Sequence, residues 1–340
     1  MQNKPEEKGR VASFQRNLQL EKLLNTMNKA LGCAEEKLLE ISYGFGPDYP
    51  IIFIMGPLRS GTTLFIQWLA QTGLFAYPTN LLSRFYGAPL VGAHIQILLT
   101  DPRYNFRNEI REFTSPIEFT SENGKTKGAL APNEFWYFWR RFLPFEDLDW
   151  LPDEELFRKV DKEILIGELT SLTRLFGKPL ALKGMILNYN IPFLDAIFKK
   201  AFFIQIKRNL VTNVASILEA RKRQFGSKKK WYSFKIPEYY KLKKFDPITQ
   251  SAGQLFYIDK AVTEGMKQVK KYRKLVVQYE DFCQNPIAVF KSLVKMLEIN
   301  MSAVTYSAPE KFELTRNIES PDREAIEKAL AMFSDKQKSK

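Results

Sequence analysis

IIFIMGPLRSGTTLFIQWLAQTG, residues 51–73, places three signals in one uninterrupted run. Ile51–Met55 is a short apolar, β-branched stretch of the kind that forms a buried strand. GPLRSG, residues 56–61, is a glycine-bounded turn, and TTLFIQWLAQTG, residues 62–73, has helical apolar spacing closed by Gly73. Strand, turn and helix without a spacer are the setting of a phosphate-binding loop. Gly56 and Gly61 are separated by four residues and followed by two loop-closing positions, Thr62 and Thr63. In such a loop backbone N–H groups point inward and the helix N-terminus adds partial positive charge. A nucleotide triphosphatase needs lysine where Thr62 stands; here Arg59 is left to supply the cation. Arg59, Ser60, Gly61, Thr62 and Thr63 are therefore the expected anion-binding residues.

The alternation continues along the chain. Asp153–Phe176 reads as one helix with Leu156, Val160, Ile164, Leu169 and Leu172 on one face. PLALK (179–183) reads as a strand, Phe193–Phe198 as a helix and AFFIQIK (201–207) as a strand. A helix over Val211–Arg221, the strand KLVVQY (274–279) and the helix NPIAVFKSLVKML (285–297) follow. Strands alternating with helices predict an α/β class: a P-loop-like, three-layer α/β/α domain with a central, mainly parallel sheet. Residues 1–46 read as an N-terminal helical arm with leucines at loosely helical spacing, and residues 47–335 as a single domain. Within that domain 78–152 breaks the pattern. It is an aromatic-rich insertion, expected over the carboxyl ends of the strands, where open α/β sheets bind ligands.

With 51 Lys and Arg against 38 Asp and Glu, the net charge is +13. Such a balance favours polyanionic partners, among them nucleic acid, anionic lipid, acidic glycan or a phosphate-rich cofactor. No nucleic-acid reader motif accompanies the charge, so no nucleic-acid partner is expected. Peripheral contact with a membrane surface stays open. Cys33 and Cys283 have no metal-ligand spacing, and no metal is expected. The N-terminus lacks the apolar core of a signal peptide, and no apolar run reaches bilayer length. A cytoplasmic protein without a transmembrane segment is expected.

GPLRSGTTLFIQWL (56–69) resembles the 5′-phosphosulfate-binding loop of the sulfotransferase superfamily, and FIQIKRNLVTNVASIL (203–218) resembles that family's second signature. VVQYEDFCQNPIAVFKSLVKMLEI (276–299) is similar to the family's last strand and helix. Carbohydrate-type and tyrosylprotein-type members are the nearest in pattern. The resemblance implies transfer of a sulfuryl group from 3′-phosphoadenosine-5′-phosphosulfate (PAPS) to a hydroxyl, without a metal. It implies that Arg208 and Ser216 hold the 3′-phosphate, and that Lys183 lies near the moving group. The expected acceptor is a glycan or glycolipid. A P-loop kinase, or a PAPS-binding protein without catalysis, are the alternatives.

The general base does not transfer from the resemblance. Tyrosylprotein-type members carry a glutamate soon after the loop helix, whereas no carboxylate or histidine lies between Thr63 and Arg84 here. Candidates come from the insertion. Glu134, in APNEFWYF, is flanked by aromatic residues expected to desolvate it. His94, the only histidine, titrates near neutrality when unperturbed. Glu118 and Glu122, in PIEFTSEN, complete the set. Along residues 135–142, Phe135, Phe138, Trp139 and Phe142 are expected to face the core. Trp136, Tyr137, Arg140 and Arg141 then face outward, toward an acceptor groove.

Overall fold

The computed structural model describes residues 10–42, 48–107, 110–113, 121–122, 125–314 and 322–338. Among the described residues there are six strands: β1 Ile51–Met55, β2 Ser121–Glu122, β3 Lys125–Thr126, β4 Leu180–Lys183, β5 Ala201–Lys207 and β6 Lys274–Gln278. β2 and β3 form a small antiparallel hairpin in the insertion. The other four make one sheet in the order β4-β1-β5-β6, every pairing parallel.

The two faces of this sheet follow from the two-residue period of a strand. Ile51, Phe53 and Met55 enter one core with Leu180, Leu182 and Phe203. Ile52 and Ile54 enter a second core with Ala181, Ile204, Ile206 and Val277. The second core is closed by Phe65, Trp68 and Leu69 of the helix Thr62–Gln71 and by Phe290 and Leu293 of the helix Pro286–Met296. The first is closed by the helices Lys162–Phe176, Leu210–Phe225 and Pro247–Gln268. A strand apolar on both faces needs a helical layer on each side, which is the three-layer arrangement expected. Parallel pairing also brings all four carboxyl ends to one edge, with Ile54 opposite Lys183 and Met55 opposite Gln205.

One element differs from the sequence reading. The helix expected over Asp153–Phe176 is two helices, Asp153–Lys159 and Lys162–Phe176. Asp161 starts the second by accepting from Ile164 N (3.1 Å), a cap that competes with continuing the first helix. The break changes the phase: Ile164 is 40% exposed and Leu165 takes the core position.

The arm and the insertion are joined by buried polar groups. The arm consists of the helices Leu18–Ala30 and Gly32–Ser42. Asn28 donates to Arg84 O (2.8 Å) and accepts from Gly87 N (2.6 Å). The buried Glu35 carboxylate accepts from Leu90 N and Val91 N, capping the insertion helix Pro89–Thr100 from another part of the chain. Among the described residues no helix is long and apolar enough to cross a membrane.

The outward arginines of the insertion are spent on the fold. Arg140 pairs with Asp149 (2.6 Å), whose other oxygen accepts from Lys235 N (2.9 Å). Arg141 pairs with the buried Glu168 (2.5 Å) and donates to Tyr86 O (2.7 Å). Tyr137 donates to Glu21 (3.2 Å). Burial pushes the Glu168 carboxyl from 4.5 up to about 7, against the pull of Arg141. A folded-state value above the unfolded one means that the folded chain holds this proton more tightly. The resulting stabilisation is complete below about pH 4.5 and is lost as pH rises through about 7. Denaturant unfolding of Glu168→Gln against the parent, from pH 4.5 to 7, is expected to remove up to ~1.4 kcal/mol per pH unit of this decline. Parallel curves for the two proteins would contradict it.

Candidate active site

The carboxyl edge of the sheet carries the expected loop, and its backbone is strained in a defined way. Gly56 has φ 147° and Gly61 φ 100°. A Cβ on Gly61 would stand 2.2 Å from the Tyr279 ring, so glycine is required there for space as well as for conformation. Arg59 adopts φ 63°, a left-handed conformation that side-chain-bearing residues avoid. It is over-determined by its neighbours: Arg208 donates to Arg59 O (2.9 Å), and the Asn213 carboxamide, nitrogen toward the loop, reaches Arg59 O (2.8 Å) and Leu58 O (3.1 Å). Asn188 brackets the start of the loop, accepting from Gly56 N (3.0 Å) and donating to Gly56 O (2.8 Å).

Held this way, the loop delivers the helix Thr62–Gln71 to the pocket without any side-chain cap. Its first N–H groups have no intrahelical acceptor, which makes them donors for an anion. The Arg59 side chain turns back, Nε donating to Ser216 Oγ (3.1 Å). Arg59, Arg208 and Ser216 thus come together, with Arg59 as the link. Arg208 lies over the Tyr279 ring at 4.8 Å, and its Nε is buried with no partner. Burial lowers the Arg208 pKa from its ordinary value, while Tyr279 and Glu280 oppose the shift. A buried guanidinium with an unused donor fits an anionic group.

Across a pocket of about 230 Å³, Lys183 and Glu134 face the loop. Lys183, at the end of β4, is 5% exposed; its Nζ donates to Thr63 Oγ1 (3.0 Å) and to Glu134 Oε1 (2.5 Å). Glu134 is placed by the backbone after it. Phe135 takes φ 54° and buries its ring, Asn133 Oδ1 accepts from Phe135 N (2.8 Å), and Glu134 and Trp136 are left lining the pocket. The aromatic neighbours do not wrap the carboxylate as expected. Phe135 goes to the core, and Glu134, 34% exposed, faces an ammonium.

Thr62, Thr63 and Gly61 line the pocket, but Ser60 does not. Its side chain is fully buried, its Oγ has no partner, and its N–H is used by Pro57 O (3.2 Å). The tight turn points Ser60 into the protein. His94 is exposed on the helix Pro89–Thr100, with Nδ1 against Leu90 O (2.8 Å), and is not part of the pocket lining. Glu118, and the side chain of Glu122, lie outside the described residues.

Six lining residues were missed. Met185 and Asn188 follow β4 and Tyr279 follows β6, and the strand-end rule applied to every strand would have found them. Tyr232, Ser233 and Phe234 follow the run Lys228–Lys230 and carry no local signal. Tyr232 is buried and hydrogen-bonded to Arg59; burial pushes its hydroxyl pKa up and Arg59 opposes this. Gly61→Ala combines the Tyr279 clash with a left-handed φ, a strain of ~1–3 kcal/mol or more. Calorimetry with 3′-phosphoadenosine 5′-phosphate is expected to show affinity lowered at least ~10-fold, and unchanged affinity would mean that the loop does not bind the nucleotide.

Comparison with known proteins bears on the fold and the family. The sulfotransferase STF9 from Mycobacterium avium is similar over 91% of this chain and 81% of its own, with 15% identity and a TM-score of 0.53. The sulfotransferase STF1 from Mycobacterium tuberculosis H37Rv is similar over 89% and 81%, with 14% identity and a TM-score of 0.50. At such identities the likeness is one of fold. Curated protein sequences yield no match. The profile of the sulfotransferase family, however, matches residues 50–303, spanning the phosphate loop, Lys183, Arg208 and Ser216, and the chain belongs to the sulfotransferase family.

Proposed function

We propose that this sulfotransferase takes the sulfuryl group of PAPS and transfers it to a hydroxyl of a carbohydrate or glycolipid, in the cytoplasm and without a metal. The observation that carries the reading is the Lys183 ammonium, joined at once to Thr63 of the anion loop and to Glu134 of the insertion. A cation that touches both walls of the pocket marks where donor and acceptor meet.

The residues present fit PAPS. The uncapped N–H groups at Thr62 and Thr63 suit its 5′-phosphosulfate, and the unused Nε of Arg208, with Arg59 and Ser216, suits its 3′-phosphate. When bound, PAPS supplies a sulfuryl group on a phosphate leaving group. Lys183 offsets negative charge on the transferring oxygens and holds the Glu134 carboxylate. Glu134 takes the acceptor's hydroxyl proton as general base. Trp136 at the pocket wall, with Arg140 over its ring at 4.9 Å, is the surface against which a sugar ring would stack. A kinase reading lacks the lysine that Thr62 replaces. A PAPS-binding protein without catalysis is separated from this reading by the transfer assay.

The test is transfer of [35S]sulfate from labelled PAPS to a panel of glycans, glycolipids and phenols, with chelator present. Label entering only phenols would overturn the acceptor class. Arg208→Ala is expected to lose ~1.5–3 kcal/mol of affinity for 3′-phosphoadenosine 5′-phosphate, the range for a charged hydrogen bond. Equal losses with the nucleotide lacking its 3′-phosphate would reassign the residue. Glu134→Gln is expected to keep nucleotide affinity and lower turnover ~10²–10⁴-fold, while His94→Ala stays near the parent rate. Turnover of Glu134→Gln within a few-fold of the parent would remove Glu134 as the base.

A further inference from the structure

Beyond the active-site wall, the segment that carries Tyr232, Ser233 and Phe234 continues into an open recess of about 720 Å³. It is lined by Tyr240, Lys241, Lys243, Lys244 and Phe245. Three lysines in five residues would repel one another unless solvent or a ligand screens them. Both carboxylates of the segment are committed elsewhere. Glu238 accepts from Tyr189 (2.9 Å), although it lies near enough for Lys241 to lower its pKa against the raising effect of burial. Asp246 caps the helix Pro247–Gln268 through Ile248 N (2.9 Å) and Thr249 N (3.1 Å). Among the described residues no carboxylate forms an ion pair with Lys241, Lys243 or Lys244.

Two of the three ammonium groups are also positioned. Lys243 sits over the Tyr240 ring at 4.4 Å and over Tyr239 at 5.6 Å. Lys241 donates to Tyr257 (3.1 Å) and lies over that ring at 5.6 Å. Ring faces hold these cations in place without neutralising them. The recess is tied to the active site by a run of aromatic contacts. Trp231 donates to Phe234 O (3.2 Å) and meets Tyr239 at 4.8 Å, and Tyr239 meets Tyr240 at 5.3 Å. Tyr240 follows Phe234 by six positions, a span of at most about 22 Å.

We infer that this recess is a second acceptor subsite, binding an anionic portion of a glycan chain whose reacting hydroxyl lies at Glu134. The lysines would take carboxylate or sulfate groups, and Tyr240 and Phe245 would take the apolar faces of the sugar rings. The inference rests on the carbohydrate reading of the acceptor and narrows it to an acidic, extended one.

Binding of a heparin octasaccharide to the full chain, with the active site saturated by 3′-phosphoadenosine 5′-phosphate, tests it directly. The parent is expected to bind this probe and to ignore a neutral maltooligosaccharide of equal length. Lys241→Gln/Lys243→Gln/Lys244→Gln is expected to weaken binding at least about tenfold, and the corresponding triple arginine variant to restore it. Tyr240→Ala is expected to weaken it with the charge intact. Octasaccharide affinity unchanged in the glutamine variant overturns the subsite. So does lysine-dependent binding to phosphatidylserine vesicles without binding to the octasaccharide. If no glycan accepts sulfate yet the lysine-dependent octasaccharide binding persists, the recess stands as a glycan site and the acceptor reading fails. If glycans are sulfated and the glutamine variant raises KM for acidic acceptors alone, both stand.

Discussion

The left-handed backbone at Arg59 is the constraint on which the site depends. A non-glycine residue at φ 63° costs free energy, and the loop keeps it only because groups from other parts of the chain hold the Arg59 and Leu58 carbonyls. Arg208 comes from the turn after β5 and Asn213 from the helix that follows. Asn188, from the turn after β4, fixes Gly56 in the same way. The anion loop is therefore shaped by the sheet edge around it. Arg208, which holds the loop, also lines the pocket with an unused donor, so loop shape and the proposed 3′-phosphate site are one structural problem.

The insertion shows how little polar surface a functional wall needs. Arg140, Arg141, Tyr137, Asn28 and Glu35 all serve its attachment, each pairing a buried or half-buried group that would otherwise be unsatisfied. Among the described residues of the insertion, Glu134 and Trp136 line the pocket. Their exposure follows from one backbone reversal at Phe135, whose ring enters the core and turns its neighbours to the pocket.

The positive charge divides similarly. Lys183 and Arg208 are buried or nearly so, and each has a neighbour that sets its direction. Lys235 is paired with Asp147 and Lys228 with Asp322. Lys241 and Lys243 are held by rings, and with Lys244 they lie beside carboxylates already in use. A net charge of +13 is thus a sum over unlike environments, and only its distribution bears on partners.

The amino-acid sequence by itself determined the α/β layering, the parallel sheet and the phosphate loop, because these rest on local periodicity and on glycine spacing. It also brought forward Arg208, Ser216 and Lys183 as candidates through the resemblance, and Glu134 through its place among aromatic residues. Local pattern was not enough at Asp161, where a cap splits an otherwise continuous helix, or at Ser60, which the turn points inward. Only the tertiary structure decided that Arg59 bridges to Ser216, that Glu134 meets Lys183, and that Tyr232 and Asn188 belong to the same pocket. Those contacts join segments 49 to 157 residues apart, and no local rule of helix or strand can register a pairing whose partner is set by the packing of other elements.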